Sequence, residues 1–190
     1  MEFIKEIRLL ENTSTRKEDY MTSLGTTEVL LTTLDINKNN SADDNYIDNE
    51  FLKAITRYVA SYTDSSYFIK LRETPDEKLT KLQEYIEQNA IKLLIDINTT
   101  KDNENDIVIK PINNNIDKTL LQELKEAIEE ENITKILVEE TLDIKHDIDV
   151  IEIKISKNIR NIDNPIYLEK LCNALINFIS MYTNITGGNC

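Results

Sequence analysis

Whatever chemistry this chain does must be done with carboxylates, amides and amines. His146 is the only histidine, and the two cysteines are Cys172 and Cys190. A catalytic zinc site draws on several imidazole, thiolate or carboxylate ligands around an open position. One histidine in the polar stretch Lys145-His146-Asp147 reads as a surface residue instead. A Ser-His-Asp triad would need that same histidine. No G-x-S-x-G elbow supports one, and Ser156 and Ser180 stand without partners in the pattern. The glycines are Gly25, Gly187 and Gly188, so neither a P-loop nor a dinucleotide fingerprint can be built. The run Asp35-Ile36-Asn37-Lys38-Asn39-Asn40-Ser41 spaces oxygen donors as a calcium loop does. It lacks the glycine at position six and the glutamate at position twelve, so it reads as a solvated loop.

The elements that must position the remaining polar residues can be read from periodicity. Runs of branched and apolar residues predict strands at Thr27–Leu34, Ser66–Arg72, Ile91–Ile97, Asp106–Lys110, Lys135–Val138 and Asp149–Ser156. In the last of these Ile151, Ile153 and Ile155 alternate with Glu152, Lys154 and Ser156, so the two sets face opposite ways. Helical spacing predicts helices from Asp48 to about Tyr62, from Pro75, over Asp117–Glu131, and from Pro165. Glu2–Leu10 fits a strand or a short helix, and Asp35–Asp48 is polar enough to be a loop. The alternation predicts one α/β domain over residues 1–182, with a mixed, largely parallel sheet flanked by helices on both faces and a flexible tail at 183–190. In such sheets ligands sit beyond the carboxyl ends of strands. That directs attention to Asp35, Arg72 and Glu73, Asp96 to Asn98, Glu139 and Glu140, and the polar side of Asp149–Ser156.

Three stretches carry a resemblance. Thr32-Thr33-Leu34-Asp35 ends an early strand. Leu94-Ile95-Asp96-Ile97-Asn98 is followed by a polar loop and by Asp106-Ile107-Val108-Ile109. Ile151-Glu152-Ile153-Lys154-Ile155-Ser156 leads to Arg160 and a final helix. In this order they resemble the N-formylglutamate amidohydrolase family, whose fold is related to the zinc carboxypeptidases. The likeness runs from about Thr27 to Ser180. In that family the first stretch ends Ser/Thr-x-Pro-His, the second Asp-x-His, and the third reads Gln-x-Glu-x-Ser with a following Arg. Asp96, Ser156 and Arg160 match those motifs. The departures fall on the metal site. Asp35 and Asn98 stand where the histidines would be, and Lys154 stands where the glutamate would be.

The resemblance therefore implies a divergent member without its zinc. Asn is a poor zinc ligand beside imidazole, and an ammonium at position 154 reverses the local charge. A salt bridge between Asp35 and Lys154 across the lost metal position is one expectation. The leading reading is a catalytically inactive relative, without cofactor, that binds a small acidic ligand or a protein partner. Arg160 and Arg72 would hold a carboxylate through paired hydrogen bonds. A second reading is a working metal-dependent amidohydrolase with oxygen ligands Asp35, Asp96, Asn98 and Glu152, which would favour magnesium, calcium or manganese over zinc. A third is a structural or regulatory protein with no inherited site.

Composition narrows the setting. The chain carries 35 acidic against 22 basic residues, a formal net charge of −13. A field of that sign repels phosphate backbones and anionic lipid, and no basic run offsets it, so nucleic acid and membrane are not expected partners. The start of the chain lacks the basic and apolar regions of a signal peptide, and two cysteines so placed make no disulfide framework. A cytoplasmic location is the expectation. A domain of 190 residues should bury roughly 70% of its unfolded surface. Lacking tryptophan, its core must come from Ile, Leu and Val.

Overall fold

The computed structural model describes residues 2–12, 20–34, 42–70, 77–100, 104–113, 116–140, 148–160 and 165–187. In chain order the elements are α1 (Glu2–Asn12), β1 (Tyr20–Ser23), β2 (Val29–Thr33), α2 (Ala42–Thr63), β3 (Ser66–Lys70) and α3 (Glu77–Gln88). They continue with β4 (Leu93–Thr99), β5 (Ile107–Pro111), α4 (Lys118–Glu130), β6 (Ile136–Val138), β7 (Asp149–Ile155) and α5 (Ile166–Gly187). The seven strands form one sheet in the order β1-β3-β2-β4-β7-β5-β6. The pairs β2/β3, β2/β4, β4/β7 and β5/β6 are parallel, whereas β1/β3 and β5/β7 are antiparallel. The sheet is thus mixed and largely parallel with helices on both faces, as the alternation of patterns predicts.

The two faces are covered unequally. Register aligns Leu31 with Ile95 and Ile151, and Ile97 with Ile153 and Ile109. These rows pack under α1, α2, α4 and α5 in the main core, with Ile55, Val59, Leu124, Leu171 and Phe178 fully buried against them. Burying each such side chain contributes roughly 1.5–3 kcal/mol. The opposite face has a smaller core. There Leu30, Phe68 and Leu94 meet Leu82 and Ile91, with Tyr85 and Ile86 partly buried, so α3 is the helix that packs there among the described residues. Tyr85 also anchors α3 to the sheet edge, its hydroxyl donating to the Ser23 carbonyl at 2.8 Å.

The connections explain this split. From β2 the chain passes through α2 to β3 on one side, then through α3 back across to β4 on the other side of β2. Right-handed crossovers running in opposite directions place their helices on opposite faces. Strands β2 and β4 are therefore neighbours whose connections diverge, which is the crevice where α/β sheets hold ligands.

Locally, the structure selects one of the two readings of the first segment, adds a strand and extends two helices. The ambiguous Glu2–Leu10 segment is helical, because Phe3 and Ile7 lie one turn apart and bury together against α2, Phe3 edge-on to Tyr58 at 5.1 Å. Strand β1 was not expected. It is four residues long and takes its order from antiparallel pairing with β3, a tertiary cause. Helix α2 begins at Ala42, inside the segment expected to be a loop, and Asp43 and Asp44 are residue types that suit a helix start. Helix α5 runs through residues 183–187, expected to be tail, where the Thr183 and Thr186 hydroxyls donate to the Ser180 and Tyr182 carbonyls. The calcium-like run at 35–41, His146 and Cys190 lie outside the described residues. Cys172 is buried in the main core, as its place in an apolar stripe predicts.

Candidate functional site

A polar row crosses the α3 side of the sheet. Register places Thr32 of β2 beside Asp96 of β4, Asp96 beside Glu152 of β7, and Glu152 beside Lys110 of β5. One step towards the carboxyl ends, Asn98 lies beside Lys154. The residues at i and i+2 of each strand share a face, so the spacing Asp-x-Asn on β4 and Glu-x-Lys on β7 suffices to gather four polar side chains.

These side chains are braced together. The Thr32 hydroxyl donates to Asp96 Oδ1 at 2.6 Å. The Asn98 amide nitrogen donates to Asp96 Oδ2 at 2.8 Å and to Glu152 Oε1 at 2.9 Å. Lys154 Nζ lies 3.4 Å from Glu152 Oε2, and Lys110 Nζ lies 3.8 Å from Glu139 Oε2. One amide thus bridges two carboxylates. Its own Oδ1 is buried and has no hydrogen-bond partner among the described residues. Burial pushes Asp96 up to about 6, and the Glu152 charge adds to the rise; donors from Thr32, Asn98 and the Leu34 backbone oppose it.

Beside this row opens a groove of about 870 Å³. Its walls are apolar: Leu82 and Ile86 from α3, Leu94 from β4, Val150 from β7, and the flanking Ile112 and Ile148. Asp96 and Glu152 form one end, with Gln83 and Glu87 contributed by α3. The volume falls within the usual range for small-molecule sites, and so does the makeup, mostly apolar with a few convergent polar groups.

Of the residues singled out from sequence, Asp96, Asn98, Glu152 and Lys154 are brought into mutual contact. Asp35 and Arg72 lie outside the described residues, so the Asp35–Lys154 pair does too; the partner recorded for Lys154 is Glu152. Arg160 is buried just beyond β7, where its backbone N and its Nε both donate to the Ser156 carbonyl at 3.3 Å. Sequence reasoning missed the groove itself. Its apolar walls belong to elements far apart in the chain, and only the packing of α3 makes them neighbours. It also missed Lys70, buried on β3, which the register of β3 with β2 puts on the side of the sheet that carries Thr32.

The sequence matches no protein-family model and no curated protein. Solved structures do match. The N-acetylmuramoyl-L-alanine amidase from Clostridium difficile 630 superposes with a TM-score of 0.60 at 16% identity, over 85% of this chain and 98% of that one. A gene product of Agrobacterium tumefaciens gives 0.55 at 10% identity, over 95% and 99%. The N-acetylmuramoyl-L-alanine amidase AmiC2 of Nostoc punctiforme gives 0.53 at 9% identity, over 82% and 96%. The chain shares the α/β fold of these solved structures. At these identities the likeness concerns the fold alone. The motif resemblance to N-formylglutamate amidohydrolases is therefore met at the level of the amidase fold and not of that particular family.

The zinc that this resemblance implies can be tested against the side chains present. Among the described residues, no three His, Cys, Asp or Glu side chains stand together as a ligand set. The carboxylate oxygens of Asp96 and Glu152 are held by a hydroxyl, an amide and an ammonium. These residues do not fit a zinc ion.

Proposed function

We propose that this chain is a non-catalytic binding domain on an amidase fold, with the groove between α3 and the sheet as its ligand face. One observation carries this reading: the Asn98 amide is shared between Asp96 and Glu152, with Lys154 on the far oxygen of Glu152. Donors from the chain itself occupy the positions a metal would need, so no Lewis acid and no activated water are assembled from these residues. What the chain retains is the scaffold, the switch-point crevice and a largely apolar groove.

The acidic ligand expected from the sequence is disfavoured by this groove. Among the described residues its lining includes Asp96, Glu152 and Glu87 and no cationic side chain. An anion would enter against that charge. The reading of a metal-dependent hydrolase with oxygen ligands needs Asp96, Asn98 and Glu152 to release one another first.

The test is metal retention with hydrolysis. Purified protein is incubated with excess zinc, manganese or magnesium, desalted and assayed for metal, and then for cleavage of N-acyl amino acids and of muramoyl-L-alanine amides. The expected result is well under one equivalent of metal and no cleavage above the blank. One equivalent of retained metal, together with chelator-sensitive cleavage, would overturn the proposal.

A further inference from the structure

The chemistry of the groove narrows its occupant, an inference that rests on the binding reading above. Its body is aliphatic, with Leu82, Ile86, Leu94, Ile112, Ile148 and Val150 facing the open space. Its polar part is rich in acceptors. Asp96 and Glu152 reach the groove directly, and with Thr32, Asn98, Lys154 and the Leu34 backbone as donors their four carboxylate oxygens still keep acceptor capacity. Asn98, which is 4% exposed and braces both, has a buried Oδ1 without a donor among the described residues.

Charge points the same way. Among the described residues, two cations beside this end, Lys154 and Lys110, pair with the carboxylates of Glu152 and Glu139 respectively, and Lys70 is buried on the same side of the sheet. Glu87 adds a further acid on the α3 side of the groove. The excess is negative, in a chain whose net charge is −13. A site that is apolar along its length, acceptor-rich at its end and surplus in negative charge complements a molecule of opposite character.

We infer that the groove binds a small amphipathic cation, with an aliphatic body against α3 and the sheet and a primary ammonium directed at Asp96 and Glu152. A primary ammonium offers three donors, which suits two carboxylates and leaves one for the neighbouring amide oxygen or a water. A carboxylate head would meet acceptors and like charge. A hydroxyl head would satisfy one acceptor but bring no charge.

The experiment compares n-octylammonium, 1-octanol and octanoate, each below its aggregation limit, by calorimetry and by amide chemical shifts in the full chain. Octylammonium is expected to bind at least about tenfold more tightly than either of the others, with shifts concentrated in α3 and at residues 94–98 and 150–154. Asp96→Asn and Glu152→Gln keep the side-chain shapes and should each weaken octylammonium about tenfold and octanol by less. Leu94→Lys places a cation in the groove and should abolish octylammonium binding. Circular dichroism of each variant separates loss of binding from loss of fold. Equal affinity for the three probes would overturn the head-group assignment, and tighter binding of octanoate would reverse it. Absence of binding by any probe, in a protein that also retains no metal, would remove this inference and leave the non-catalytic reading standing. Stoichiometric metal with cleavage would remove that reading instead.

Discussion

Asp96 is the residue on which most of the site turns, and its protonation has a sign that can be worked out. Burial lifts it from 3.8 to about 6 in the folded chain. The folded state therefore holds this proton more tightly than the unfolded state does. The resulting stability is fully present below about pH 4 and is lost as pH rises through 6, the reverse of an ion-paired aspartate. The difference amounts to about 3 kcal/mol as an order of magnitude. Asp96→Asn removes the charge and can keep both contacts, its oxygen accepting from Asn98 and its amide donating to the Thr32 hydroxyl. The variant should match the parent near pH 4 and exceed it by up to about 3 kcal/mol at pH 8 in urea unfolding. Superimposable pH profiles would show that the Asp96 carboxyl is not desolvated as described. Much of this residue's setting was legible beforehand. The spacings Asp96-x-Asn98 and Glu152-x-Lys154 on predicted strands put each pair on one face. What spacing could not give was strand order, so the amide bridge from Asn98 to Glu152, which needs β4 beside β7, had to come from the structure.

At the level of elements, Gly25 shows how tightly the β1–β2 connection is tied to the α2–β3 turn. A Cβ at this position would come within 2.1 Å of the Asp64 carbonyl oxygen and 2.4 Å of Ser65 C, both backbone atoms. The Gly25 amide donates to Ser66 Oγ at 3.1 Å, and the Thr26 amide donates to the Asp64 carbonyl at 2.8 Å. Asp64 itself has φ 50°, a left-handed turn that leaves little room to yield. Gly25→Ala should cost about 3 kcal/mol in chemical unfolding, as overpacking against backbone does. A change under about 0.5 kcal/mol would mean that the two turns are not clasped. The longer strands were legible because branched residues cluster in them, as in Leu93–Thr99 and Asp149–Ile155. Strand β1 was not, since Tyr-Met-Thr-Ser carries too short a pattern to outweigh a turn, and its pairing partner lies some fifty residues on.

Across the whole molecule, the unequal covering of the sheet predicts unequal local stability. Helix α5 buries Leu168, Leu171, Cys172, Leu175, Phe178 and Ile179 in the main core. Helix α3 contributes Leu82 fully and Tyr85 and Ile86 partly to the smaller one. Segments with few buried contacts open at lower free energy than the whole fold. Backbone amides of α3 should therefore exchange with solvent at least about tenfold faster than those in the middle of α5, read by native-state hydrogen exchange with mass spectrometry. Equal protection would mean that α3 opens only with global unfolding. That the fold class was readable while the groove was not has the same origin. Alternation of strands and helices follows from local pattern, whereas the space left under one short helix depends on how that helix is packed.

The register described above has a consequence for how this protein can change. On β2, β4, β5 and β7 the odd-numbered positions Leu31, Ile95, Ile109 and Ile153 point into the main core. The even-numbered positions, among them Thr32, Asp96, Lys110 and Glu152, all point to the groove side. Parity thus separates the main core from the groove side, where the smaller core and the polar row lie. Substitutions at positions 96, 98, 152 and 154 can rewrite recognition while the isoleucine ladder behind them stays intact. A scaffold divided in this way can trade one chemistry for another through many viable intermediates.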